Sequence, residues 1–202
     1  SMSDRKTTFL LLITGVLFVI YPVLRPYSTE TGTAGADAFA SPLWIAAHVS
    51  AMLGFIALAL VVRAMQVGQF AESATWIGVG LLLPYYGAET FALNVLGVRA
   101  QETGDVTLVD LAEPIRYGPV QVTMFGLGLV AIAVGVIALA REVATWQGWV
   151  FAAGFVLFLP QFFGPPWIRV AHGLLILVGS VALAVKLAQP KARQEISTIT
   201  GA

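Results

Sequence analysis

The chain has no cysteine, only two histidines in 202 residues, and charged side chains at just 11% of its length. Each scarcity closes off a class of function. Without cysteine there are no disulfides, no thiolate metal sites and no thiol nucleophile. Acidic and basic residues balance at 11 each, which leaves no basic surface, so no nucleic-acid role is expected. A soluble domain carries about 25% charged residues, more than twice the content here. No stretch between the apolar runs is long enough for a separate soluble domain.

Hydrocarbon takes the place of charge. Hydrophobic residues make up 58% of the chain, and mean hydropathy is +0.85. Runs of roughly 17–25 apolar residues can cross a bilayer, and six candidates lie near 7–24, 42–64, 76–97, 117–140, 147–163 and 167–188. Backbone groups in lipid must pair within their own segment, which makes each run a helix. The expectation is an all-α, polytopic protein of the cell membrane: one domain over residues 1–202, built as a six-transmembrane-helix bundle in the lipid bilayer. Arg5-Lys6 ahead of an apolar stretch imitates a signal peptide. The small-residue pattern Ala38-Phe39-Ala40 lies too far beyond that stretch for ordinary cleavage, so the stretch is expected to remain as a helix. Ser1 before Met2 reads as a residue left by tag removal.

An even number of spans puts both termini on one side. Arg5, Lys6, Arg63, Arg141, Lys186, Lys191 and Arg193 gather there, against Arg25, Arg99, Arg116 and Arg169 opposite, which predicts cytoplasmic termini. The outer face carries the longer loops, 28–41 and 98–116, with Glu30, Asp37, Glu102, Asp105, Asp110 and Glu113. Within the second loop, Val106, Leu108, Leu111 and Ile115 recur at roughly helical spacing, as in a short helix lying in the interface.

Both histidines follow a proline and a tryptophan, in Pro42-Leu43-Trp44-Ile45-Ala46-Ala47-His48 and Pro166-Trp167-Ile168-Arg169-Val170-Ala171-His172. At 1.5 Å per residue each lies ~9 Å below its proline, and Glu89, the only acid of the third run, lies ~12 Å below that run's outer end. All three fall in one layer. Ionisable side chains at membrane depth are costly and usually functional. Tyr85 and Tyr86 precede Glu89 at i−4 and i−3, spacings that share a helical face. A desolvated carboxyl there is favoured as the neutral acid, a proton donor, unless a cation or metal keeps it ionised. The bland alternative is a carboxyl or imidazole that only bonds neighbouring helices together.

A weak internal repeat suggests three helical hairpins. Odd runs end in proline with aromatics, at Pro22, Pro84 and Pro160, and even runs begin after Pro42, Pro114 and Pro166. This alignment gives Gln121 the place that His48 and His172 hold in their own runs. The interior prolines free the carbonyls of Phe18, Gly80 and Val156, and broken helices are tolerated where they line a cavity or are bonded by neighbours. An outward-opening polar pocket is the economical expectation.

Three chemistries use these residues. His48, His172 and Glu89 can act as acid–base groups on a small lipophilic molecule, with Gln121, Tyr85 and Tyr86 orienting it. The same three can form a two-imidazole, one-carboxylate zinc or iron site. His48 and His172 can also be the axial ligands of a haem b whose propionates meet Arg25, Arg116 or Arg169. Trp44 and Trp167 belong either to a pocket wall or to an interfacial belt. The fourth run carries Gly126, Gly128, Ala131 and Gly135, small residues suited to close packing within the bundle or across a homodimer. A small proton-coupled transporter and a non-catalytic lipid-binding protein are the rival classes. Inward of the histidine layer only Thr14, Ser50, Thr123 and Ser180 are polar, which favours a closed inner end over a through-path.

Overall fold

The structure is a computed structural model that describes residues 2–190, with side chains described from Asp4. Lys191 and Arg193, counted above in the charge asymmetry, lie outside the described residues. The described chain is helical with no strand. Four helices are long and apolar enough to cross a membrane: α1 (Met2–Leu24, apolar from Asp4), α3 (Pro42–Met65), α7 (Pro119–Val143) and α10 (Pro166–Ala188). The last three have proline at their first position, where its missing N–H costs nothing and its fixed φ suits the first turn. Ahead of α3, the Ser41 side chain accepts a hydrogen bond from the Leu43 N–H at 3.2 Å.

The other two expected runs are interrupted. The third comprises α4 (Gln69–Gly87), a π-helical turn (Ala88–Ala92) and α5 (Leu93–Thr103), continuous in chain but irregular at the turn. The fifth is α8 (Trp146–Val156) and the single turn α9 (Phe158–Gln161), separated at Leu157. The two longer loops, 28–41 and 98–116, also prove more ordered than expected. Residues Gly32–Ala40 form α2, inside the expected loop 28–41. The expected interface helix becomes a 3₁₀ segment, Val106–Leu111, followed by α6 (Ala112–Tyr117).

α1 packs most extensively on α3 and α10, α4 packs on α7, and α8 lies against α7 and α10. Phe18 centres this core, edge-on to Phe55, Phe155 and Phe158 at 4.9, 5.4 and 5.4 Å. Pro22 leaves the Phe18 carbonyl without its helical partner, and Gly173 of α10 fits against it; a Cβ on Gly173 would stand 2.5 Å from that oxygen. A second, smaller core joins α2, α5, the 3₁₀ segment and α6 through Ala36, Phe39, Trp44, Leu93, Val109 and Ala112. Here α5 meets the α2 backbone, for a Cβ on Gly97 would lie 2.6 Å from Ala40 N.

Two of the small residues of α7, Gly128 and Gly135, pack within the chain, whereas a Cβ on Gly126 would meet nothing within 4 Å. A Cβ on Gly128 would come 2.8 Å from the Gly78 carbonyl, and one on Gly135 would come 2.2 Å from the Thr75 hydroxyl. α4 therefore packs on α7 at Gly128 and Gly135.

Candidate functional site

Glu89 sits in the π turn and is buried. Its surroundings follow from that turn. The Leu93 N–H bonds back to the Ala88 carbonyl, five residues earlier, so it does not take the Glu89 carbonyl as a regular α-helix would. The Trp44 indole donates to the Glu89 carbonyl instead, at 2.8 Å. The Trp44 carbonyl in turn accepts from His48 Nδ1 at 2.6 Å. A carbonyl only accepts, so the proton lies on Nδ1. The other ring nitrogen, Nε2, stands 3.3 Å from Glu89 Oε1, at ion-pair distance without hydrogen-bond alignment.

Two arginines complete the enclosure. Glu89 Oε1 lies 3.5 Å from Arg116 Nη1 and 3.8 Å from Arg25 Nη2. Glu30 joins the same guanidiniums, accepting from Arg25 Nη2 at 2.8 Å through Oε1 and from Arg116 Nη2 through Oε2. Arg25 also packs over Trp44, 4.8 Å from the ring centroid. Burial opposes the charge on both guanidiniums, yet Tyr21, Glu89 and Glu30 for Arg25, and Glu89 and Glu30 for Arg116, outweigh it and raise both pKa values. The sequence left Glu89 as a neutral proton donor unless cations held it ionised. Two guanidiniums within 4 Å meet that condition, so the carboxylate is the form these surroundings favour.

A cavity of about 530 Å³ opens beside this network. Arg25, Glu30, Glu89, Arg116 and Arg169 form its charged side, and Tyr21, Tyr85, Tyr86 and Tyr117 line it as well. Val122, Phe125, Leu159, Phe162 and Phe163 form its apolar wall. The volume falls within the roughly 300–1,000 Å³ of small-molecule sites, and an apolar wall with few convergent polar groups is their usual make-up. Tyr86 is fully buried, with its hydroxyl 3.4 Å from that of Tyr21, and Tyr85 packs on Phe125 at 4.2 Å.

His172 does not join Glu89. Its Nε2 bonds the Gly154 carbonyl at 2.6 Å, just before the break between α8 and α9, and its ring stands edge-on to Phe158. The expected two-histidine, one-carboxylate metal set is therefore not assembled, and no three His, Asp or Glu side chains gather at metal-holding spacing among the described residues. Axial haem ligation needs two imidazole nitrogens turned toward one iron. Here Nε2 of His172 is spent on a carbonyl, while Nδ1 of His48 is spent on another and its Nε2 faces Glu89.

Gln121 is also placed elsewhere. Its Nε2 donates to the Pro114 and Ile115 carbonyls, both at 3.2 Å, and so ties α6 to the start of α7. Trp44 is fully buried and bonded, whereas Trp167 is 69% exposed, as an interfacial residue would be. Arg25, Arg116 and Arg169 do meet at the cavity. Glu30 was not singled out from the sequence. The available signal was its place five residues after Arg25, among outer acids that face several outer arginines.

Fold and site together define an all-helical protein with several membrane-compatible helices and a buried, ion-paired carboxylate at the edge of an aromatic cavity. No family of known proteins matches the chain, and neither a curated protein nor a solved structure is similar to it.

Proposed function

We propose that this is a multi-pass membrane protein with six membrane segments and cytoplasmic termini, whose outer-end cavity binds a small lipophilic molecule beside Glu89. The observation that carries the reading is the cavity itself, where an ion-paired carboxylate and an aromatic wall share one space. Six segments are supported by the helical path from Gln69 to Thr103, which the π turn distorts without ending, and by the near-continuity of Trp146 to Gln161. The 19 residues of α4 alone extend roughly 28 Å, close to the thickness of a hydrocarbon core. A binding pocket is favoured over a transport path because three of the four inner hydroxyls, on Thr14, Ser50 and Thr123, are spent on carbonyls of their own helices, which leaves only the buried Ser180 hydroxyl without a partner.

Acid–base turnover is a second reading. Glu89, Tyr85 and Tyr86 all line the cavity, so a carboxylate and two phenol hydroxyls border the same space. The geometry gives no comparable support to a metal or haem centre built on both histidines.

The absence of cysteine makes the test clean. With six segments, Asp110→Cys reacts with a membrane-impermeant maleimide from the side opposite the termini, and Glu142→Cys reacts from the same side as the termini. With only the four long helices crossing, both assignments reverse. For the cavity, decanol is expected to slow maleimide modification of Val122→Cys. Equal rates with and without saturating decanol would remove the binding reading.

A further inference from the structure

Arg169 lies in the first turn of α10 and contributes its guanidinium to the cavity. Three aromatic rings surround it, with centroids at 6.0 Å for Tyr21, 5.4 Å for Tyr27 and 5.3 Å for Phe162. Arg25 and Arg116 are matched by Glu30 and Glu89, but Arg169 is not. Among the described residues no carboxylate reaches it, and its hydrogen bond is a long one of 3.5 Å to the Tyr21 hydroxyl; its Nε, like those of Arg25 and Arg116, is buried without a partner. Three arginines against two glutamates leave the cavity with an excess of positive charge.

Arg169 is half-buried, and a guanidinium partly withdrawn from water with no carboxylate in reach carries a cost that aromatic faces offset only in part. The missing partner should itself carry negative charge. We propose that the cavity takes an amphiphile with an anionic head, carboxylate or phosphate, held by Arg169, while its hydrocarbon lies along Phe125, Leu159, Phe162 and Phe163. This rests on the cavity reading above and names the class of molecule bound there. The planar fork of arginine suits either head, since both present two oxygens at matching spacing. Tyr21, already within reach of Arg169, can donate its hydroxyl hydrogen to the same head. Glu30 and Glu89 repel a second negative charge and so orient the head toward Arg169. A phospholipid of the bilayer and a free lipophilic acid present the same chemistry.

The test uses Val122→Cys protein in nanodiscs of phosphatidylcholine, with maleimide modification slowed by decanol, decanoate, decyl phosphate or decyltrimethylammonium. The two anions should protect at concentrations about tenfold or more below decanol, as a charge-assisted bond implies, and the cation should protect least. Arg169→Gln should bring both anions to the level of decanol measured in the same variant, with each rate referred to that variant's own unprotected rate. If that variant does not fold, Arg169→Lys keeps the charge but not the fork and should show a reduced preference for anions. Equal protection by decanol and the anions overturns the proposal and leaves the cavity reading standing. An anion preference that survives Arg169→Gln also overturns it. If no amphiphile protects, the cavity reading falls as well. Protection by phosphatidylglycerol in the discs assigns the head to a bilayer lipid; protection by decyl phosphate without it assigns the head to a free amphiphile.

Discussion

Trp44 and Glu89 are joined at two points: the Trp44 indole donates to the Glu89 carbonyl, and the Trp44 carbonyl takes the proton of His48, whose other nitrogen faces the Glu89 carboxylate. The indole thus pairs a carbonyl that the π turn has released. Trp44→Phe keeps an aromatic ring but removes the donor and part of the buried volume, leaving an acceptor unpaired at a cost of about 1–3 kcal/mol to which the cavity adds. Trp167 has the same local sequence setting but an exposed ring, so Trp167→Phe should cost under about 0.5 kcal/mol. Unfolding midpoints in detergent compare the two, and equal losses would contradict the role given to the Trp44 indole.

The two histidines should separate in double-mutant cycles with Glu89→Gln. His48 faces the Glu89 carboxylate, so its cycle should give a coupling of about 0.5–3 kcal/mol. His172 bonds Gly154 and shares no partner with Glu89, so its cycle should close within about 0.5 kcal/mol. His172→Ala alone should still destabilise, because it leaves the Gly154 carbonyl unpaired. A large coupling between His172 and Glu89 would restore the three-residue site that the sequence suggested.

What could be read from the sequence follows the range of the forces involved. The four long helices begin and end within a few residues of the expected runs, because apolar length and a leading proline are local properties. α2 escaped notice because nine Gly- and Ala-rich residues show no long apolar stripe; Phe39 and the close approach of Gly97 hold it in place. The π turn depends on a tertiary donor, Trp44, and so has no signature of its own. Counting residues from a proline gave His48, His172 and Glu89 a common depth, but depth along a helix leaves direction around it open. His48 turns toward Glu89, His172 turns toward α8, and Gln121 turns back to α6. Arg25, Arg116 and Arg169 line one cavity, because each lies beside the end of a helix and chain position alone fixes which end that is.

Gly78 and Gly80 are two residues apart on α4 and should respond in opposite ways to alanine. A Cβ on Gly78 would lie 2.5 Å from the Gly128 carbonyl and 2.8 Å from Ile132 N, both backbone atoms that cannot move aside cheaply. Overpacking of this kind costs about 1–3 kcal/mol. A Cβ on Gly80 meets nothing within 4 Å, so Gly80→Ala should gain up to about 1 kcal/mol from helix propensity. Thermal unfolding of both variants tests whether α7 packs on α4 through this face. A benign Gly78→Ala would free the same face for an intermolecular contact.

Glu30 and Glu89 share the guanidiniums of Arg25 and Arg116, and that sharing has a measurable sign. With either acid replaced by glutamine, each arginine keeps one carboxylate within 4 Å. With both replaced, two buried guanidiniums lose every acid that reaches them, and breaking buried pairs in this way costs about 3–5 kcal/mol. The double variant should therefore lose more stability than the sum of the single losses, by about 0.5–3 kcal/mol. Adding Arg116→Met to it should recover part of that excess, because one stranded charge is then removed. Simple additivity in chemical unfolding would mean that the two acids act on separate cations, and the site would reduce to independent ion pairs.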